Sequence, residues 1–135
     1  MKRNIMSRLV EWKNRSHRKP LLLTGVRQCG KTYIIRKFGK EEFEDTAYFN
    51  FEEDETLSSA FDHDFKIERI LDDLGSIRCG EKIVPGKSLL ILDEIQACPR
   101  AITSLKYFCE NQPDLHVIVA SYSTGMNSLF TSKVH

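Results

Sequence analysis

Eight residues near the start of the chain constrain its fold more than any others: Gly25-Val26-Arg27-Gln28-Cys29-Gly30-Lys31-Thr32, a G-x-x-x-x-G-K-T loop. Such a loop works in one setting. An apolar strand leads into it and a helix leaves it, so that backbone N–H groups and the helix N-terminus converge on one point. Both flanks are present. Leu21-Leu22-Leu23, just after Pro20, reads as a short buried strand, and Ile34, Ile35 and Phe38 mark one side of a helix starting at Lys31. Arg36, Lys37 and Lys40 suit that helix's C-terminal dipole end, and Gly39 reads as its stop signal.

The rest of the chain continues the alternation. Residues 2–15 read as an amphipathic helix through Ile5, Met6, Leu9 and Val10, with Trp12 near its end. Residues 46–51 carry the β-branched and aromatic types of a strand. The acidic run 52–55 opens a helical stretch in which Ile67, Ile70, Leu71 and Leu74 share a face. Residues 75–88, with the Pro85-Gly86 turn, read as a loop. Residues 89–92 and 115–120 are apolar strands, separated by a helix from Pro99 that turns Ile102, Leu105, Phe108 and Cys109 inward. Strands alternating with helices predict an α/β fold, a parallel sheet of about four strands with helices on both faces. The whole reads as a single domain: N-terminal helix 2–15, core 20–121 and a polar tail 122–135.

Composition narrows the class. With 135 residues, 41% apolar and 10% aromatic, the chain suits one globular domain that needs no disulfide staples. Its longest apolar runs are three or four residues, too short for a membrane span. Cys29, Cys79, Cys98 and Cys109 form no C-x-x-C pair, which predicts reduced thiols and a cytoplasmic setting rather than a zinc site. The net charge of +1 hides a segregation: residues 1–40 hold 12 Lys/Arg against Glu11 alone, and residues 41–75 hold 13 acids against Lys66 and Arg69. No basic-aromatic stripe or reading helix accompanies the basic block, so attraction between the two blocks is favoured over nucleic-acid binding.

The motif chemistry follows from the loop. Backbone N–H groups of Gly25 through Gly30 would close around phosphate oxygens, Lys31 would reach the β- and γ-phosphates, and the Thr32 hydroxyl would hold Mg²⁺. Such a site needs an acid at the carboxyl end of a buried strand, and Leu89-Leu90-Ile91-Leu92-Asp93-Glu94 provides it. Asp93 would neutralise Mg²⁺ directly or through its water, and Glu94 would orient a water for attack on the γ-phosphate. The group Phe61-Asp62-His63-Asp64 reads as solvated surface, and Arg100 as a helix-start surface residue rather than an arginine finger.

With its Gly25-Val26-Arg27-Gln28 start and Asp93-Glu94-Ile95-Gln96, the chain resembles the AAA-type ATPases of bacteria and archaea, with their G-x-R-Q-x-G-K-T loop and D-E-I-Q Walker B. The resemblance runs from the N-terminal helix through the fourth strand. It implies the AAA nucleotide-binding core, with the Asp93 strand in mid-sheet and the Ser121 strand between it and the P-loop strand. It also implies ATP and Mg²⁺ as cofactors and Ser121 as the sensor. The family usually ends that strand in Thr/Ser-Gly-Ser; here Ser121-Tyr122-Ser123 departs at Tyr122, and Cys29 stands where a small aliphatic residue is more usual. Family members continue with a fifth strand, a helical lid and a C-terminal domain. The resemblance therefore implies a truncated ATPase with no fifth strand, whose bare P-loop strand edge would favour self-association.

Two rival readings stand beside it. One is a small-molecule or nucleoside P-loop kinase, which would need an acceptor pocket and an arginine-rich lid. The other is a degenerate non-catalytic fragment or binding module. The expected ligand is nucleotide, a homo-oligomer and nucleic acid stay open as partners, and no membrane is expected.

Overall fold

The computed structural model describes residues 2–15, 19–24, 31–78, 80–121 and 132–133. The loop Gly25 to Gly30, Cys29 and Cys79 included, and the tail from Tyr122 to Thr131 lie outside the described residues.

Helix α1 (Lys2–Lys13) precedes β1 (Leu21–Thr24), α2 (Lys31–Glu42) and β2 (Asp45–Asn50). Helix α3 (Ile67–Ile77), β3 (Ser88–Asp93), α4 (Pro99–Asn111), β4 (His116–Ser121) and β5 (Ser132–Lys133) follow. The sheet order is β2-β3-β4-β1-β5, and every pairing is parallel. Strand β3 is buried along its length, and its central residues 89–92 are all apolar because both its faces are covered. One face packs under α1 and α2 through Leu9, Trp12, Ile35 and Phe38, which meet Leu21, Leu23, Leu89 and Ile91. The other packs under α3 and α4 through Ile70, Leu74, Leu105 and Phe108, which meet Leu22, Leu90, Leu92 and Val119. Trp12 anchors α1: its indole N–H donates to the Lys19 carbonyl at 2.8 Å, and its ring meets His116 edge-on.

Three local expectations are corrected. Gly39 does not stop α2, which runs on to Glu42. A Cβ at Gly39 would lie 2.5 Å from Thr46 Oγ1 and 3.1 Å from a Leu89 methyl, so glycine there lets the helix approach β2 and β3 closely. The stretch after the acidic run is not one helix. Residues 51–53 turn, a 3₁₀ helix spans Glu55–Phe61, and α3 starts only at Ile67. Asp54 starts the 3₁₀ helix by accepting the Thr56 N–H at 3.0 Å, a local bond that competes with continuous helix. Finally, there is a fifth strand: Ser132 and Lys133 pair with Leu21 and Leu22. The edge of β1 is thus partly covered, by polar residues whose composition gives no strand signal.

Candidate functional site

The sheet register builds the site. Asn50 on β2 is level with Asp93 on β3, Leu92 with Val119 on β4, and Thr24 on β1 with Ser121 on β4. The carboxyl ends of four adjacent strands therefore form one edge, the side on which parallel α/β sheets bind ligands. Strand β1 leads toward Gly25, and α2 starts at Lys31.

Asp93 is only 2% exposed and Glu94 6%. Burying a carboxylate costs several kcal/mol unless hydrogen bonds compensate. Asp93 Oδ2 accepts the Tyr48 hydroxyl at 2.5 Å, and Oδ1 accepts the Glu94 backbone N–H at 2.9 Å. The Asn50 amide lies 3.5 Å from the Tyr48 oxygen. Glu94 has φ 53° and ψ 45°, the one positive φ outside glycine among the described residues. A left-handed glutamate costs about 1–2 kcal/mol, and such strain collects at functional positions. Gln96 Nε2 donates to Glu94 Oε1 at 3.1 Å and lies 3.4 Å from Glu52 Oε2. The remaining amide oxygen, Gln96 Oε1, is buried without a hydrogen-bond partner among the described residues.

Asp93, Glu94 and Ser121 thus come together at one sheet edge. The pleat separates them: Asp93 shares its alternation with Leu89 and Ile91 under α2, whereas Ser121 alternates with Val117 and Val119 toward α3 and α4. Ser121 is fully buried. Lys31 and Thr32 occupy the first turn of α2. Gly25, Val26, Arg27, Gln28, Cys29 and Gly30 lie outside the described residues. Arg100 is engaged locally: its Nε donates to the Phe61 carbonyl and its guanidinium lies 4.7 Å from the Phe65 ring centre, so it braces the 3₁₀ segment. The residues 61–64 gather no metal site; among the described residues no trio of His, Cys, Asp and Glu does. Asp64 instead holds Arg69 and the Lys66 N–H, each at 3.0 Å.

Tyr48 was not legible as a site residue, because its tie to Asp93 crosses between strands 45 positions apart. The one available signal was the even spacing of Tyr48 and Asn50 on β2, opposite the apolar parity of Ala47 and Phe49. A groove of about 960 Å³ opens between α2 and the β2 edge, lined by Arg36, Lys37, Lys40, Glu41 and Asp45 among others; its mixed charge does not select a phosphate. No helix among the described residues is long and apolar enough to cross a membrane.

A five-stranded parallel sheet, covered on both faces and carrying buried acids at the carboxyl end of an inner strand, is the architecture of the P-loop NTPase class. Residues 17–133 match the family described as the AAA domain, and the chain belongs to that family. Solved structures agree in fold. Aeropyrum pernix Orc1 in complex with DNA superposes with a TM-score of 0.58 at 17% identity, over 92% of this chain and 39% of that one. C. elegans PCH-2 gives 0.57 at 15% identity, over 95% of this chain and 38% of its own. A Thermotoga maritima RuvB variant gives 0.56 at 20% identity, over 95% and 39%. The chain thus spans about two-fifths of the length of these proteins. No curated protein matches the sequence.

Proposed function

We propose that this AAA domain binds ATP with Mg²⁺ through Gly25 to Thr32, and that it hydrolyses the β–γ bond once a lid or a partner subunit completes the site. The observation that carries the reading is the pair of buried acids, Asp93 and Glu94, at the end of an inner strand, on the sheet edge where β1 also ends. Mg²⁺ takes one or two carboxylates together with phosphate and water oxygens rather than an all-protein cage, and Asp93 fits that donor set. Bound there, the metal would supply charge neutralisation at the β- and γ-phosphates.

In this reading the chain's own residues divide the work. Lys31 and the loop N–H groups bind the phosphates, and Thr32 and Asp93 hold the metal with its water. Glu94 accepts the proton of the attacking water as its oxygen bonds to the γ-phosphorus; the bond to the β–γ bridging oxygen breaks and ADP leaves with that electron pair. Gln96 fixes the Glu94 carboxylate by donating from Nε2 to Glu94 Oε1. A glutamate placed for water favours hydrolysis over transfer to an alcohol, which is why the kinase reading ranks second.

Lys31→Ala tests the reading. A lost charge-assisted phosphate contact is worth about 1.5–3 kcal/mol, so ATP should bind about 10- to 150-fold more weakly while adenosine binds as before. Equal ATP affinity in parent and variant, measured by titration calorimetry, removes the phosphate-loop assignment. Assembly with further copies is part of the same proposal, and light scattering with and without ATP·Mg²⁺ tests it; an unchanged monomer mass in both would reject it.

A further inference from the structure

Among the described residues, the shortest side-chain hydrogen bond to Asp93 comes from a residue outside both motifs, Tyr48. Asn50 Oδ1 accepts the Glu52 N–H at 2.9 Å and the Glu53 N–H at 3.2 Å, so the backbone itself decides which way this amide points. Its Nδ2 then faces the Tyr48 oxygen. With that oxygen facing a donor, the phenolic proton is directed to Asp93 Oδ2. Oδ1 is meanwhile held by the Glu94 N–H. Both carboxylate oxygens are thus tied to donors on different segments, and rotating the group breaks at least one bond. The Arg36 guanidinium of α2 lies 4.6 Å from the centre of the Tyr48 ring, away from the hydroxyl's bond to Asp93.

We propose that Tyr48 is a positioning residue for Asp93: its hydroxyl fixes the orientation of the carboxylate that holds the metal's water shell. The proposal rests on the nucleotide reading above. Tyr48 touches neither nucleotide nor metal in this scheme and acts through Asp93. The register makes the arrangement a property of the sheet. Asn50 is level with Asp93, and Tyr48, two residues earlier on the same face of β2, reaches the same carboxylate.

The test is the affinity of a fluorescent ATP analogue measured across a Mg²⁺ series for the parent chain, Tyr48→Phe and Arg36→Gln. Phenylalanine keeps the ring and removes only the hydroxyl. Tyr48→Phe should need about fivefold more Mg²⁺ for the half-maximal gain in affinity, the equivalent of one hydrogen bond, while affinity without Mg²⁺ stays within about twofold. Arg36→Gln, which leaves the hydroxyl in place, should keep the parent's Mg²⁺ midpoint. An unchanged midpoint in Tyr48→Phe overturns the proposal. So does an equal loss of affinity with and without Mg²⁺, which is the mark of a merely structural role. A parent chain that binds no nucleotide overturns the reading beneath it, and shows this before any variant is compared.

Discussion

Two sets of acids on this molecule live under opposite conditions. Asp93 and Glu94 are buried at the end of β3, where their partners are a phenol, a backbone N–H and a side-chain amide. Asp54 and Asp64 lie on the acidic stretch after β2 and serve the chain around them: Asp54 starts a 3₁₀ helix, and Asp64 gathers the Lys66 N–H and Arg69. The surface acids solve local problems of backbone pairing, and water is at hand for whatever remains. The buried pair does more than pair backbone, since Asp93 also takes the Tyr48 hydroxyl, and β3 would close more cheaply over apolar side chains. Costly burial together with backbone strain at Glu94 is what separates a site from a surface.

The largest expected effect lies in the buried pair. Glu94→Gln keeps size and hydrogen bonding but removes the proton acceptor, so any ATP turnover should fall by about 100-fold or more while ATP still binds. Phosphate release and nucleotide binding, measured on the same preparation, check it; turnover equal to the parent's would move the base elsewhere. Asp93→Asn comes next. It should abolish most of the Mg²⁺ dependence of ATP binding and spare the metal-free affinity, and a Mg²⁺ titration that matches the parent's would erase the distinction between the two sets.

On the exposed side the effects should be smaller and structural. Asp54→Ala removes the cap of the 3₁₀ helix and should cost about 1 kcal/mol, read as a lower thermal midpoint with nucleotide affinity unchanged. The smallest effect belongs to Asp64. The Lys66 N–H, and after it Arg69, hold its carboxyl below the usual carboxylate range. A depressed folded-state pKa contributes stability that is present above the unfolded value and is lost as pH falls through the folded one. Asp64→Asn should therefore narrow the gap between thermal midpoints at neutral pH and well below pH 4. A variant gap as wide as the parent's would show that other carboxylates carry the acid sensitivity.

The order of residues alone is enough to read the alternation of strands and helices, the apolar face of α3 and the place of Asp93 at a strand end. These features rest on contacts between near neighbours, where a period of two or 3.6 can be read directly. That order does not give the role of Gly39, whose missing Cβ matters only because Thr46 and Leu89 close in on it. Nor does it reveal the fifth strand, because Ser132 and Lys133 pair through backbone groups that every residue carries. The site divides the same way. Lys31, Thr32, Asp93 and Glu94 stand out by spacing, whereas the bond from Tyr48 to Asp93 and the left-handed turn at Glu94 exist only once β2 and β3 lie side by side. Local pattern fixes which residues form an element and which face it buries; the register between distant elements, which decides what each carboxylate touches, comes from packing the sheet.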